Sequence, residues 1–218
     1  MNQSTIHAQD DAALVAHLKQ VAARTDEFEY YAHPHAARVA AIAAGLGGLF
    51  GLGDADLRSL HHAALAHDAG MLAMRRDYIA RAGKLTAEER RDLARHAVVG
   101  EGEAARMGLD RPAQLIIRWH HEAWNGDGYP DALHETQIPL PARILHVADV
   151  YSALTDSRPS RPARTQHQAL QIMREAAGLD FDPIIVHRLL TLTSHPALAS
   201  FADSSSMEAH NVNHLALT

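Results

Sequence analysis

The sequence predicts an all-α fold built around a polar centre in an apolar helical interior. Three observations carry this. No segment alternates apolar and polar residues for long, so there is no strand signal. Apolar residues instead recur at three- and four-residue steps from Leu14 to Leu192. Several of these stripes are interrupted by His or Asp, most sharply in Ala63-Ala64-Leu65-Ala66-His67-Asp68-Ala69-Gly70. A carboxylate beside an imidazole in such surroundings is costly unless something compensates the lost hydration. A divalent metal does so, because neutral His nitrogen and ionised Asp oxygen are both good ligands.

Composition narrows the classes. The 218 residues suffice for one domain of ordinary size. Net charge is -6 and no block is rich in Lys or Arg, which disfavours duplex nucleic acid as a partner. No apolar run is long enough to span a bilayer and the N-terminus lacks a signal-peptide pattern, so no membrane association and a cytoplasmic location are expected. Zero Cys removes thiolate zinc sites and Cys nucleophiles, leaving the 17 His as the main ligand supply.

The elements follow in order. Residues 1–30 read as an N-terminal extension with an amphipathic helix over Asp11 to Ala23 and a polar stretch after it. His35 to Phe50 is a helix on Val39, Ile42, Ala43 and Leu46, with His35 one turn before Val39 on the buried face. Asp54 is the expected N-cap of a helix running through Leu57, Leu60 and His67-Asp68 to Gly70. A short helical piece is expected around Tyr78. Thr86-x-x-Glu89 is a capping box that starts a helix carrying His96, continuing toward Met107 and stopping at Gly108. Asp110-Arg111-Pro112 opens the helix that delivers His120-His121-Glu122, and a turn-rich loop, Asn125 to Pro130, follows. Ala142 to Leu154 is a central helix whose lone carboxylate is Asp149. Thr165-x-x-Gln168 caps a helix toward Gly178, and Asp182-Pro183 starts the last one, toward Leu192. The main domain is expected over 31–195, with 196–218 a polar, mobile tail.

Seven polar residues thus fall on apolar helical faces: His35, His67, Asp68, His96, His120, His121 and Asp149. Any one of them alone would more often be a satisfied core residue. Together they would each need a separate partner in one core, whereas one shared metal site satisfies them all. Their number exceeds the needs of a single ion that also binds water and substrate. Two ions bridged by a carboxylate fit better, with Asp68 as the bridge.

At this point the motifs resemble a known family, the HD-GYP subgroup of the HD phosphohydrolases. The likeness covers roughly His35 to Leu190. It includes His35-x-x-Arg38-Val39, His67-Asp68-x-Gly70, Gly83-Lys84-Leu85-Thr86 leading to His96, and His120-His121-Glu122 with Gly126-x-Gly128-Tyr129-Pro130. Ala148-Asp149-Val150-Tyr151-x-Ala153-Leu154-Thr155 and Arg158-Pro159 complete it. The resemblance implies an HD-domain helical bundle with a buried binuclear metal site, iron or manganese more than zinc, that hydrolyses cyclic di-GMP to pGpG or GMP. Carried over, His35, His67, Asp68 and Asp149 would hold one ion and Asp68, His96, His120 and His121 the other. Asp68 and Asp149 would be the catalytic carboxylates. Gly128, Tyr129 and Pro130 would form the substrate-side loop, and Arg158 and Arg161 the phosphate and guanine contacts, for which planar guanidinium groups are suited.

Two departures qualify this. The family's Lys after His-Asp-x-Gly is here Met71, and a thioether can neither donate a proton nor carry charge. The Glu that supplies a third metal in some members, one turn before His35, is here Tyr31, so two ions are expected. The alternatives are a catalytically weak domain acting as a metal-, nucleotide- or protein-binding signalling module, and a phosphohydrolase of another nucleotide. A diguanylate cyclase docking on the Gly-Tyr-Pro loop and a homodimer are the protein partners that come into view.

Overall fold

The computed structural model describes residues 3–79, 84–157 and 162–194, with side chains from residue 9 onward. Among the described residues there are ten α-helices and no strand. They are α1 (Gln3–Phe28), α2 (His35–Leu49), α3 (Asp54–Ala66), α4 (Ala69–Met74) and α5 (Ala87–Leu93). The chain continues through α6 (His96–Arg106), α7 (Arg111–Trp119), α8 (Leu140–Leu154), α9 (Gln166–Glu175) and α10 (Pro183–Ser194).

The core lies where α2 packs against α3 and α8, with α7 closing it. Val39, Ile42 and Leu46 of α2 meet Leu60 and Leu65 of α3, Ile117 of α7 and Ile144 and Leu145 of α8, all buried. α10 adds Ile185 and Leu189, and α1 contributes the fully buried Leu18. No described helix is long and apolar enough to cross a membrane.

The local signals hold where they have a side-chain mechanism. Thr86 accepts from the Glu89 amide and the Glu89 carboxylate accepts from the Thr86 amide; Thr165 and Gln168 repeat the arrangement. Asp110 caps α7 through the Ala113 amide at 2.8 Å. Other expectations need correction. α1 extends over residues read as a polar stretch, because no Gly or Pro interrupts it before Tyr30, whose φ of 62° ends it. The cap of α3 is Gly53, not Asp54, which already has helical geometry and instead places its charge in the first turn, where the helix dipole favours it.

The most consequential correction is at His67-Asp68. The helix does not run on to Gly70; it stops at Ala66, turns at Asp68 and restarts as α4. Steric demand explains the turn. A Cβ on Gly70 would lie 2.1 Å from the His96 carbonyl oxygen and 2.7 Å from the Gly100 nitrogen, so α4 presses on α6 backbone to backbone. Likewise the helix begun at Thr86 breaks at Ala94-Arg95 before α6. Both breaks bring the expected His and Asp residues to helix ends. The predicted short piece around Tyr78 is a single 3-10 turn, Asp77–Ile79. Gly83, Arg158, Ser160, Arg161 and the tail lie outside the described residues.

A candidate metal centre

The seven expected residues converge. His35 lies at the start of α2, His67 and Asp68 at the turn between α3 and α4, and His96 opens α6. His120 and His121 follow the end of α7, and Asp149 sits within α8. Two sets of ligand atoms lie within 4.8 Å of one another: His35, His67 and Asp68, and Asp68, His96, His120 and His121. Asp68 belongs to both. Its Oδ2 is 3.0 Å from His67 Nε2, while Oδ1 faces His96 Nε2 at 3.4 Å and His120 Nε2 at 3.8 Å. Asp149 Oδ1 lies 3.1 Å from His35 Nε2 and 3.7 Å from His67 Nε2, beside the first set.

The backbone fixes which nitrogen faces inward. His67 Nδ1 is 2.9 Å from the Ala64 carbonyl, His96 Nδ1 2.7 Å from Leu93 and His120 Nδ1 2.6 Å from Ile117. A carbonyl only accepts, so each Nδ1 carries a proton and each Nε2 faces the centre, a ligand once it carries no proton of its own. Such outer hydrogen bonds orient metal-ligating imidazoles. Each is made three residues back along the chain, which is why all three imidazoles sit at helix ends, where those carbonyls are free.

The donor set can be tested against a cation. Asp68 Oδ1 is buried without a hydrogen-bond partner, and His67 Nε2 has the Asp68 carboxylate beside it at 3.0 Å. A buried polar atom left so costs about 1–3 kcal/mol. Four imidazole nitrogens converging on a carboxylate are a poor hydrogen-bond network and a good ligand field. The residues therefore fit a bound divalent metal.

Electrostatics agree. Burial pushes the His96 imidazole down to about 4, helped by its neighbour His120. Burial and the adjacent His120 and His96 hold His121 well below its ordinary range. Both are neutral at physiological pH. Burial also pulls on His67, but the Asp68 and Asp149 carboxylates outweigh it and push that imidazole up to about 10. Burial opposes ionisation of Asp68, yet His67 and the other imidazoles hold its carboxyl well below the usual range.

The loop is built from Glu122 and Gly128. The buried Glu122 carboxylate accepts from the Asp131 amide at 2.7 Å and the Leu133 amide at 3.0 Å. A Cβ at Gly128 would lie 2.1 Å from the Ala123 nitrogen and 2.6 Å from the His121 carbonyl oxygen, so only Gly lets the loop close. The Tyr129 amide then donates to His121 at 3.1 Å. This places the Tyr129 ring 5.1 Å from His121 and 6.2 Å from His96, centroid to centroid, with Pro130 following through a cis bond. Burial pushes the Tyr129 phenol up, so it keeps its proton.

Tyr31 stacks on His35 with centroids 3.9 Å apart and planes 4° from parallel. Met71 is buried in α4 but outside the main apolar core. Arg158 and Arg161 lie outside the described residues.

Three contributors escaped the sequence reading. Asp26 near the end of α1 accepts from the Ala36 amide at 3.3 Å and so caps the helix that starts with His35. Asp156, fully buried, accepts from His33 at 2.8 Å and faces Arg38 at 3.8 Å, anchoring the end of α8. His146 is buried one turn before Asp149 and its ring is 6.0 Å from His121. Its i, i+3 spacing from Asp149 was the available signal.

A model of the HD domain family matches residues 16–185. The cyclic di-GMP phosphodiesterase response regulator RpfG of Xanthomonas campestris is 37% identical over 142 residues, covering 64% of this chain and 38% of that protein. The 3'3'-cGAMP-specific phosphodiesterase 2 of Vibrio cholerae is 32% identical over 158 residues, covering 72% of this chain and 30% of that protein. The chain thus spans about a third of the length of these curated relatives. The crystal structure of a cyclic GMP-AMP specific phosphodiesterase of Vibrio cholerae superposes with a TM-score of 0.68 at 19% identity, covering 86% of this chain and 51% of that one, a likeness of fold. The helical architecture, the His-Asp turn and the family match agree: this chain belongs to the HD domain family.

Proposed function

We propose that this domain hydrolyses a phosphodiester bond of cyclic di-GMP with two divalent cations, iron or manganese. The observation that carries the reading is the sharing of Asp68 between two ligand sets. One set, His35, His67, Asp68 and Asp149, would hold one cation; the other, Asp68, His96, His120 and His121, would hold the second. His and carboxylate donors without thiolate suit iron or manganese, though zinc is also accommodated. When bound, the cations would supply Lewis-acid polarisation of the phosphate and lower the pKa of an attacking water.

The chain's own side chains do the rest. The Nδ1–carbonyl bonds lock the imidazoles, so the centre needs little reorganisation when substrate arrives. Asp68 and Asp149 supply the negative charge. Tyr129, protonated and beside His121, offers a hydroxyl donor on the substrate side, and Gly128 and Pro130 shape the loop that holds it. Arg158 and Arg161 would neutralise the diester oxygens with planar, bidentate donors.

A second reading rests on Met71. Without the family's Lys beside the scissile phosphate, the domain would bind metal and nucleotide yet turn over slowly, acting instead through partners such as a diguanylate cyclase on the Gly-Tyr-Pro loop. Relatives named for cGAMP support a third, in which the substrate is another cyclic dinucleotide.

One experiment separates these. The protein is purified with Mn or Fe(II) under reducing conditions, and cyclic di-GMP, 3'3'-cGAMP, pGpG and GMP are followed by chromatography. Turnover of cyclic di-GMP is expected. Full metal occupancy without turnover of either dinucleotide contradicts the first reading and supports the second; turnover of cGAMP alone supports the third.

A further inference from the structure

Beside the candidate metal centre lies a cavity of about 410 Å³, within the range of small-ligand sites. His121 and Tyr129 form the wall it shares with the centre, His146 and Val150 of α8 line it too, and the exposed Leu179 and Asp180 form its rim at the α9–α10 turn. That turn is strapped to the loop: the Trp124 amide donates to the Asp180 carbonyl at 3.0 Å and the Asn125 amide to Leu179 at 2.8 Å.

The lining has a one-sided chemistry. His146, nine-tenths buried, donates from Nδ1 to the Glu122 carbonyl at 3.0 Å, so its Nε2 is an acceptor. The Asp127 carboxylate is occupied by Asn125 at 2.8 Å, whereas the Asp180 carboxylate has no side-chain partner among the described residues. No Lys or Arg is among the described lining residues, so the cavity does not suit a phosphate. It suits a flat ring with a donor edge.

We propose that this cavity seats one guanine base of the dinucleotide whose phosphate lies at the metal centre. The Asp180 carboxylate accepts from guanine N1–H and N2–H, and Leu179 and Val150 flank the ring. Adenine, with an acceptor at N1, cannot make that pair. The inference rests on the reading of the domain as a cyclic dinucleotide phosphodiesterase and adds the source of its base preference.

The test measures equilibrium binding by calorimetry to the manganese-loaded protein, with hydrolysis-resistant phosphorothioate analogues of cyclic di-GMP, 3'3'-cGAMP and cyclic di-AMP. The two guanine-containing ligands should bind about tenfold or more tighter than the cyclic di-AMP analogue, the discrimination of one bidentate pair. Asp180→Ala should weaken both by about tenfold and the cyclic di-AMP analogue by less than about twofold. Asp180 is exposed, so the thermal midpoint should not move. Equal binding of all three, or no shift in Asp180→Ala, overturns the guanine seat and leaves the phosphodiesterase reading standing. No binding of any analogue overturns that reading and the seat with it.

Discussion

The floor of the site and the shell beside it are built on opposite plans. The floor comprises His35, His67, Asp68, His96, His120 and Asp149, buried side chains on helices or at their ends, most with a ring nitrogen pinned by backbone or side chain. The shell comprises the Asn125–Leu133 loop and the α9–α10 turn, largely exposed, held by main-chain bonds, by the Glu122 carboxylate and by the pairing of Asp131 with Arg118 and Trp119. A floor made this way keeps its geometry without substrate. A shell made this way can differ in sequence and shape while the floor stays constant. On the proposed function, chemistry would fall to the rigid part and selection to the adaptable part.

That division yields graded predictions. The largest structural effect is expected at the seam, from Gly70→Ala. The new methyl must displace the His96 carbonyl, 2.1 Å away, and drag a ligand-bearing helix with it. Overpacking against backbone should cost about 3 kcal/mol or more and abolish metal retention, read by thermal unfolding and elemental analysis. Next, Glu122→Ala removes two charge-assisted bonds from the shell. It should cost about 2–3 kcal/mol and raise KM far more than it changes metal content. An equal loss of metal would mean floor and shell are not separable.

Met71→Lys adds a charge in α4, three residues after Asp68, at a position outside the shell. On the first reading it should raise kcat by about tenfold or more at constant metal content, since preorganised charge on a transferring phosphate is a large effect. No change would remove Met71 from the account.

Proton linkage sharpens the comparison. In the floor, the His67 imidazole, raised to about 10, keeps its proton at neutral pH until a cation displaces it. Apparent cation affinity should therefore rise with pH up to that value, with proton release detectable by calorimetry in buffers of different ionisation enthalpy. In the shell, Arg118 first and Trp119 second hold Asp131 down to about 2. A depressed folded-state value contributes stability above the unfolded value, lost as pH falls from about 4 toward about 2. Asp131→Asn should flatten that acid limb while changing stability at neutral pH by less than about 1 kcal/mol, because the pair is largely solvated.

The same contrast explains what could be read from the sequence. Polar residues on apolar helical stripes are conspicuous, so His35, His67, Asp68, His96, His120, His121 and Asp149 announced themselves before any coordinates. The turn at His67-Asp68 did not, because it is imposed by the approach of α4 to the α6 backbone, a tertiary demand that local spacing does not carry. His146 was hidden among the apolar residues of α8, and Asp26 in a segment that read as merely polar. Asp180 carries no motif at all; its proposed role rests on two main-chain bonds that bring its turn beside Trp124 and Asn125.

The central claim is that Asp68 joins two cation sites. Anaerobic elemental analysis of the chain and of its Asp68→Ala and His121→Ala variants tests it directly. Two transition-metal ions per chain are expected, both lost in Asp68→Ala and one retained in His121→Ala. A single ion in the unaltered chain, or retention of both ions after Asp68→Ala, would contradict it.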